Sequence, residues 1–426
     1  MPSMRVAPRR SRFWKVSFID PQNEITTVPW GKVGTSNLVP EIGITGTPVI
    51  DPASNTLYVS GVTLEKGSFF HRLHALDLST GNEKFGGPVV IHATVPGTGF
   101  GSDGNGNVNF VAQIANQRSG LALNNGIVYI AFASHSDIGP YRGWVLAYDA
   151  STLAQVGTFA ATPNGALGGI WMSGGAPVID QDGIVYVSVG NGTFDADQGG
   201  IDSGDCLVKL GPTDTSNFGV IDFFMPFDQM ALDAPDIDFG ASGVVALPDQ
   251  ASGPQHLLLS GSKEGTLYVL DRDNLGAFHA GDDSQIVQSI AGEITEVVST
   301  PAYFNGTVYV CGDSDHLKAF SLSGGQLSPS PTSMSKITFP FTGATPVVSA
   351  NGNQNGIVWA IRNSGPAVLY AFDATDMGIE LYNSEQKPSR DGMSGYVKFS
   401  VPTVANGRVY VGSQKRLTVF GLLTRK

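Results

Sequence analysis

A pattern of three short apolar runs recurs seven times between residues 46 and 423. In the first copy the runs begin at Thr47, Leu57 and Arg72. The first run is brief and often contains proline, the second is rich in valine, leucine and tyrosine, and the third alternates apolar with polar residues. Runs of this length and composition, separated by turn residues, predict β-strands rather than helices.

The turn between the first two runs has its own signature. An Asn-Gly or Asp-Gly pair stands there in five of the seven copies, namely Asn125-Gly126, Asp182-Gly183, Asn305-Gly306, Asn355-Gly356 and Asn406-Gly407. Such pairs accept the positive φ angles of a two-residue hairpin, so the first two strands should pair antiparallel. A weaker fourth strand should follow the third, as residues 155–159 do in the second copy. Each copy is therefore predicted to be a four-stranded antiparallel meander.

Seven such meanders predict an all-β fold, a seven-bladed β-propeller, because a single meander is too small to bury both of its faces. An eight-bladed ring is the alternative. The last copy supplies three strands, and the alternating segment 13–19 is predicted to be its fourth, outermost strand, which would close the ring. Residues 1–12 are predicted to be a disordered basic tail, and residues 13–426 a single propeller domain.

Composition narrows the class of protein. The 54 glycines and 25 prolines disfavour a helical protein, and 41% hydrophobic against 15% charged residues excludes a disordered chain. The net charge of −12, with Arg5, Arg9, Arg10, Arg12 and Lys15 gathered at the start, argues against nucleic-acid binding. No apolar run is long enough for a membrane span or a signal peptide, so we expect a soluble monomer without either.

Several stretches of the repeats resemble the pyrroloquinoline-quinone-like β-propellers, the repeat superfamily of the quinoprotein alcohol dehydrogenases. They are TPVID with NTLYVSG, HRLHALDLSTGNEKF, GAPVIDQDGIVYVSVGNG and GTLYVLDRDNLG. The resemblance implies a propeller fold and a periplasmic or extracellular location, although the sequence carries no signal peptide. For the dehydrogenases of this superfamily it also implies a quinone beside a calcium ion and a pair of adjacent cysteines.

The chain departs from the superfamily in the features that concern activity. Phe85 stands where the docking tryptophan of the repeat is typical, while Trp14 stands where such a residue would lie in a displaced last strand. The two cysteines, Cys206 and Cys311, fall in different copies, which predicts buried thiols rather than a disulfide. We therefore predict no evident cofactor and do not carry PQQ binding over to this chain.

Chemistry is expected at the rim of the propeller channel. The first strand of each blade starts on the same face on which the second strand ends, so residues at these positions should converge. Candidate catalytic residues there are His135, Asp238, Lys263, Glu296, Arg118 and Arg362, and candidate cofactor-binding residues are Trp171, Asn191 and Asp313. Converging charges of both signs can shift one another's pKa, as acid and base catalysis requires. The alternative is that they are solvated residues which link neighbouring blades.

A glycine-rich loop gathers four carboxylates, those of Asp195, Asp197, Asp202 and Asp205. Hard oxygen ligands on a flexible loop suit Ca²⁺, so these residues are a candidate metal site. Their spacing is not that of an EF-hand, and a solvated acidic turn is the alternative.

Three functions remain open on the sequence alone, and it does not decide whether the protein is an enzyme. The first is a propeller without a redox cofactor that binds a small molecule or a protein partner at the rim. The second is a quinone- or metal-dependent oxidoreductase. The third is a metal-assisted hydrolase or lyase built on the rim residues.

Overall fold

The chain is a seven-bladed β-propeller of small antiparallel sheets, as predicted, with 45% of the described residues in strands and 6% in helices. The computed structural model describes residues 4–6, 14–212, 217–233 and 236–422. The chain divides into two compact units. The N-terminal unit comprises Ser11–Gly240 and Gly276–Asp282, and the C-terminal unit comprises Met1–Arg10, Ala241–Leu275 and Asp283–Lys426.

The N-terminal unit contains blades 1 to 3. Their strands are Val49–Asp51, Thr56–Glu65, Ser68–Asp77 and Val89–Val90 in blade 1; Ala122–Asn124, Ile127–Ser134, Trp144–Asp149 and Gln155–Ala160 in blade 2; and Val178–Ile179, Val185–Ser188, Leu207–Pro212 and Phe218–Met225 in blade 3. Short strands extend these sheets at Ile25–Thr26, Ala115–Asn116 and Ala277–Phe278. Two further hairpins join Val28–Pro29 to Glu41–Ile42 and Thr94–Pro96 to Asn107–Asn109, and one short α-helix spans Gln229–Asp233.

The C-terminal unit contains blades 4 to 7. Their strands are Val245–Ala246, Leu257–Gly261, Leu267–Asp271 and Gln288–Ile290 in blade 4; Ala302–Phe304, Thr307–Cys311, Asp315–Ser323 and Ser333–Phe339 in blade 5, with Gln326–Leu327 at its edge; Val347–Asn351, Gln354–Asn363, Ala367–Asp373 and Asp376–Asn383 in blade 6; and Thr403–Ala405, Arg408–Ser413 and Arg416–Leu422 in blade 7. A short α-helix spans Pro388–Asp391. None of the helices in the described part of the chain has the length and apolar character that crossing a membrane requires.

Three of the five predicted turns are two-residue hairpin turns, those at Asn125, Asn305 and Asn406. In blade 3 the paired residues Ile179 and Val185 enclose a longer loop, which contains Asp182-Gly183. In blade 6 the prediction is wrong, because the turn falls between the paired Asn351 and Gln354 and Asn355-Gly356 lies inside the second strand.

In blade 2, Asn125 and Gly126 have φ angles of 48° and 75°, and Asn124 pairs with Ile127 on either side of the turn. Both φ angles are positive, as a two-residue turn between twisted strands requires. In blades 2, 5 and 7 the Asn-Gly pairs thus fix the register of the first two strands, and with it which side chains enter the core.

The core lies between the faces of neighbouring blades. Tyr58 and Leu73 of blade 1 pack with Ile130, Phe132 and Leu146 of blade 2, all of them buried. The Tyr58 hydroxyl donates a hydrogen bond to the carbonyl of Ala150 at 2.7 Å, so its polar end is satisfied inside the core. Burying an aromatic or branched side chain contributes about 1.5–3 kcal/mol, and the same arrangement recurs between the blades of the C-terminal unit.

An N-terminal strand completes blade 7, as predicted, but it is not the predicted segment. Met4–Val6 pairs antiparallel with Arg416–Leu422, with Arg5 opposite Gly421. Residues 14–19 form no strand, and residue 13 lies outside the described residues. The closing strand therefore lies inside the segment expected to be a tail. Residues 4–6 alternate apolar and polar positions as 13–19 do, and 14–19 are engaged elsewhere.

Trp14 and Phe18 hold residues 14–19 against blade 1. The Trp14 indole N–H donates to the Leu78 carbonyl at 2.8 Å, and a Cβ at Gly81 would lie only 2.8 Å from the indole ring. Phe18 stacks on His74, with the ring centroids 3.7 Å apart. Trp14 thus docks on a blade, but from a segment without regular secondary structure.

Candidate functional site

Arg118 and Trp171 meet in the N-terminal unit. Arg118 precedes the first strand of blade 2, and Trp171 precedes the first strand of blade 3. The guanidinium carbon of Arg118 lies 4.4 Å from the centre of the Trp171 ring, and its Nη1 donates to the Ser173 hydroxyl at 3.3 Å. A guanidinium stacked on an indole is attracted by the negative face of the ring. Trp171, itself buried, therefore fixes the position of this cation.

Arg118 keeps its charge at neutral pH. Burial lowers its pKa from 12.5 to about 10, while the negative charges of Asp238, Asp137 and Asp236 act in the opposite direction. Arg118 is partly exposed, so a ligand from solvent can contact the residue. The site thus presents a fixed positive charge surrounded by carboxylates.

His135 lies beside Arg118, directly after the second strand of blade 2. Only 3% of the residue is exposed. Burial and, to a smaller extent, the charge of Arg118 together lower its pKa from 6.5 to about 4. The imidazole is therefore neutral at pH 7, with one nitrogen able to donate and the other able to accept a hydrogen bond.

Asp238 and Trp171 converge on Gly190, at the end of the second strand of blade 3. A Cβ at Gly190 would lie 2.5 Å from Asp238 Oδ2 and 2.9 Å from Trp171 Nε1. A Cβ at Gly240 would lie 2.1 Å from the Gly190 amide nitrogen. No side chain fits at either glycine, so the loop that carries Asp238 packs directly on the end of blade 3.

The exposed carboxylates at this site are held by neighbours. Asn191 Nδ2 donates to Asp236 Oδ1 at 3.1 Å, and the Tyr141 hydroxyl donates to Asp137 Oδ1 at 2.6 Å. Burial, followed by the charge of Asp137, raises the pKa of Tyr141 well above its usual value, so its hydroxyl stays protonated. The buried Asp205 accepts from the Phe239 amide at 3.2 Å, which positions the loop carrying Asp236 and Asp238.

Five of the residues predicted from strand ends come together in this way. We call them, with Asp236, the Arg118 cluster: Arg118, His135, Trp171, Asn191, Asp236 and Asp238. Sequence reasoning missed Asp236, Asp137 and Tyr141. Asp236 stands two residues from Asp238, and Asp137 and Tyr141 stand four residues apart in the loop after His135. Such spacings are also common among loop residues without a function, so the sequence alone does not identify these three.

The other four predicted rim residues belong to the C-terminal unit. The Asp313 amide donates to the Glu296 carbonyl at 2.8 Å, which joins the end of one blade 5 strand to the segment before blade 5. Arg362 Nε donates to the Thr338 carbonyl at 2.9 Å, which ties it to the outer strand of blade 5. Lys263 is partly buried at the end of the second strand of blade 4.

Carboxylates of the acidic loop accept hydrogen bonds from backbone amides. Asp202 Oδ1 accepts from the Asn164 amide at 2.9 Å, and Asp195 Oδ1 accepts from the Asp202 amide at 2.8 Å. Asp205 is buried beneath the Asp238 loop, and Asp197 is exposed. Buried carboxylates that accept backbone N–H groups serve as loop anchors, a use that sequence spacing does not distinguish from ligation.

A calcium-bound quinone does not fit the residues present. Calcium takes six to eight oxygen ligands, yet within the described ranges no group of three or more His, Cys, Asp or Glu side chains is placed to hold a metal ion. Cys206 and Cys311 are buried free thiols in blades 3 and 5, as predicted, and are not an adjacent pair.

Comparison with known proteins finds likeness in structure but not in sequence. No family model and no curated protein matches the chain. Among solved structures, quinohemoprotein alcohol dehydrogenase from Comamonas testosteroni matches 96% of this chain and 79% of its own at 15% identity, with a TM-score of 0.52. BamB from Moraxella catarrhalis matches 89% of this chain and 85% of its own at 14% identity, with a TM-score of 0.49.

A europium-containing methanol dehydrogenase matches 93% of this chain and 86% of its own at 12% identity, with a TM-score of 0.48. Identities this low carry information on architecture and none on activity. The chain therefore shares the β-propeller fold of a quinoprotein alcohol dehydrogenase.

Proposed function

We propose that this protein is a binding propeller that holds a small molecule at the Arg118 cluster without a redox cofactor. One observation carries the proposal: Arg118, which is partly exposed and charged, acts electrostatically on the buried His135, whose ring forms no hydrogen bond with a described residue. Burying an imidazole costs less free energy when its nitrogens are hydrogen-bonded. A ligand that contacts Arg118 and His135 supplies such interactions.

Protonation states favour binding over acid–base catalysis. A general acid or base works best with a pKa near the working pH. Burial places the pKa of His135 at about 4 and raises that of Tyr141 well above its usual value. Both groups are therefore held in one protonation state near pH 7, which suits hydrogen bonding to a ligand better than proton transfer.

The test uses NMR signals of the site itself. Protein labelled with ¹⁵N in arginine and histidine side chains is titrated, at millimolar concentration, with a panel of small carboxylates, amines, amino acids and sugars. We expect at least one class to shift the signals of Arg118 and His135. The same compound should produce no such shift of His135 in an Arg118→Gln variant.

An Arg416→Gln variant is the control, because Arg416 is an exposed arginine of blade 7. It should bind as the wild type does. The proposal is wrong if no compound of the panel moves the Arg118 or His135 signals of correctly folded protein.

A further inference from the structure

The ring of His135 offers hydrogen bonds that the described part of the protein does not use. The residue is 97% buried, as its 3% exposure shows, and no hydrogen bond to its ring is formed by any described residue. Among the described residues, neither ring nitrogen of His135 belongs to the fully buried polar atoms that lack a partner, so both keep some contact with solvent. A nearly buried polar side chain without a partner in the protein is suited to hydrogen-bond a ligand. A ligand bound at Arg118 would supply such a partner.

Arg118 determines which chemical group of a ligand would bind next to His135. Its guanidinium carries a permanent charge at neutral pH and lies over the ring of Trp171, and the residue is partly exposed. A planar guanidinium fork matches a carboxylate, which accepts two parallel hydrogen bonds from it. The first element of the ligand is therefore a carboxylate.

The surrounding carboxylates disfavour a ligand that carries a negative charge and no positive charge. Asp137 and Asp236 are exposed, and both act electrostatically on Arg118 together with the buried Asp238. Asp137 is held by Tyr141, and Asp236 by Asn191, so the negative charges are fixed beside the guanidinium. A simple carboxylate would meet three negative charges there, whereas an ammonium group on the same ligand is attracted by them.

We infer that the Arg118 cluster binds the head group of a free α-amino acid. The carboxylate pairs with Arg118, the ammonium lies toward Asp137 and Asp236, and the neutral imidazole of His135 completes the hydrogen bonds to the head group. A simple amine would leave Arg118 and His135 unused, and a simple acid would be repelled. This inference rests on the proposed function and names the ligand class for the same site.

The experiment compares matched head groups. Each of the common L-amino acids is tested singly by thermal shift, and those that raise the melting temperature are titrated by calorimetry. For each binder, the 2-hydroxy acid and the amine with the same side chain are titrated in parallel. We expect the amino acid to bind at least tenfold more tightly than either analogue.

Variants test separately which residues bind the carboxylate and which bind the ammonium group of the amino acid. Arg118→Gln should weaken amino-acid binding at least tenfold, and Asp236→Asn should weaken the amino acid while leaving the hydroxy acid unchanged or improved. Arg416→Gln should have no effect. Equal binding of the hydroxy acid and the amino acid would overturn the role of the acidic residues, and with it the inference.

The outcomes also separate this inference from the proposed function. If no amino acid binds but another compound of the NMR panel shifts Arg118 and His135, the propeller binds a different ligand and the amino-acid inference is wrong. If nothing shifts those signals, both are wrong.

Discussion

His71 shows how burial fixes the charge of a single side chain. It is 3% exposed, its Nε2 lies 3.1 Å from the Ala115 carbonyl oxygen, and Phe110 and Phe132 approach it edge-on. Burial lowers its pKa from 6.5 to about 4, as it does for His135. The folded protein therefore holds two neutral histidines that become protonated more readily once the chain unfolds.

This difference predicts how stability depends on pH. Both pKa values are lower in the folded state, so the stabilisation is complete above pH 6.5 and is lost as the pH falls toward 4. One pKa unit corresponds to about 1.4 kcal/mol, so each histidine accounts for a loss of roughly 3 kcal/mol. Urea denaturation between pH 7 and pH 4 should show the loss, and a His71→Gln variant should lose less.

His92 provides the control, because it is exposed. A His92→Gln variant should follow the wild-type pH dependence. The interpretation is wrong if His71→Gln and His92→Gln lose the same free energy of unfolding over this range.

Gly190 tests the packing that supports the Arg118 cluster. A Gly190→Ala change should destabilise the protein by about 1–3 kcal/mol, because the new Cβ would overlap Asp238 Oδ2 and Trp171 Nε1. It should also shift the NMR signals of Arg118. Gly412→Ala is the matched control at the end of the second strand of blade 7, where a Cβ has no neighbour within 4 Å. Chemical denaturation measures the free energy of unfolding of both variants, and equal values would contradict the prediction.

The site residues could be predicted only in part. Arg118, His135, Trp171, Asn191 and Asp238 were found because strand ends follow from the repeat. Residues 195–205 show what the sequence pattern leaves open beyond that point. A carboxylate that accepts backbone amides and one that binds a cation have the same side chain, and only the distances to their neighbours tell them apart.

At the level of single elements, the strand Met4–Val6 has the clearest predicted effect. Without it, the outer edge of Arg416–Leu422 would lose its backbone hydrogen bonds. Deleting residues 1–6 should lower the free energy of unfolding by about 1–3 kcal/mol, since each intramolecular hydrogen bond contributes roughly 0.5–1.5 kcal/mol.

Hydrogen exchange locates that effect. The amides of residues 416–422 should exchange faster in the protein lacking residues 1–6 and should be unaffected in a protein lacking only residues 1–3. Unchanged exchange in the longer deletion would mean that the strand does not protect the edge of blade 7.

Blade 5 contains a second element with a testable role, a largely buried ion pair. Lys318 Nζ lies 2.7 Å from Asp315 Oδ2 and donates to the Glu293 carbonyl at 2.8 Å, while the Thr295 amide donates to Asp315 at 3.2 Å. The pair thus joins blade 5 to the segment that leads into it. The side chains are 7% and 13% exposed for Asp315 and Lys318.

Asp315→Ala should destabilise the protein by about 3–5 kcal/mol, because it leaves the Lys318 charge buried without its partner. The double variant Asp315→Leu, Lys318→Met should recover part of that loss, because no charge is then left unpaired. Thermal and urea unfolding of the single and double variants measure the difference. A double variant no more stable than Asp315→Ala would contradict this account.

At the scale of the whole molecule, the net charge of the chain predicts that the protein does not bind nucleic acid. With a net charge of −12, the protein should repel the phosphate backbone of DNA. Fluorescence anisotropy with a labelled duplex at low salt should detect no binding at micromolar protein. Saturable binding that weakens with added salt would contradict the prediction.

The fold could be predicted far more completely than the site because it is repeated. Seven copies of one strand pattern give seven independent readings of the same blade, and errors of a few residues at strand ends do not alter the count. The closing strand and the Arg118 cluster each occur once. For the closing strand, segment 13–19 and Met4–Val6 alternate equally well, and only the packing of Trp14 and Phe18 on blade 1 separates them.

The pairing of Met4–Val6 with Arg416–Leu422 also sets the order of events during synthesis. The ribosome makes the first strand roughly 410 residues before its partner. At about 5–20 residues per second, some 20–80 s pass before the partner exists. The nascent chain therefore carries an unpaired strand while the other blades emerge, and blade 7 is completed only after residues 416–422 have been synthesised.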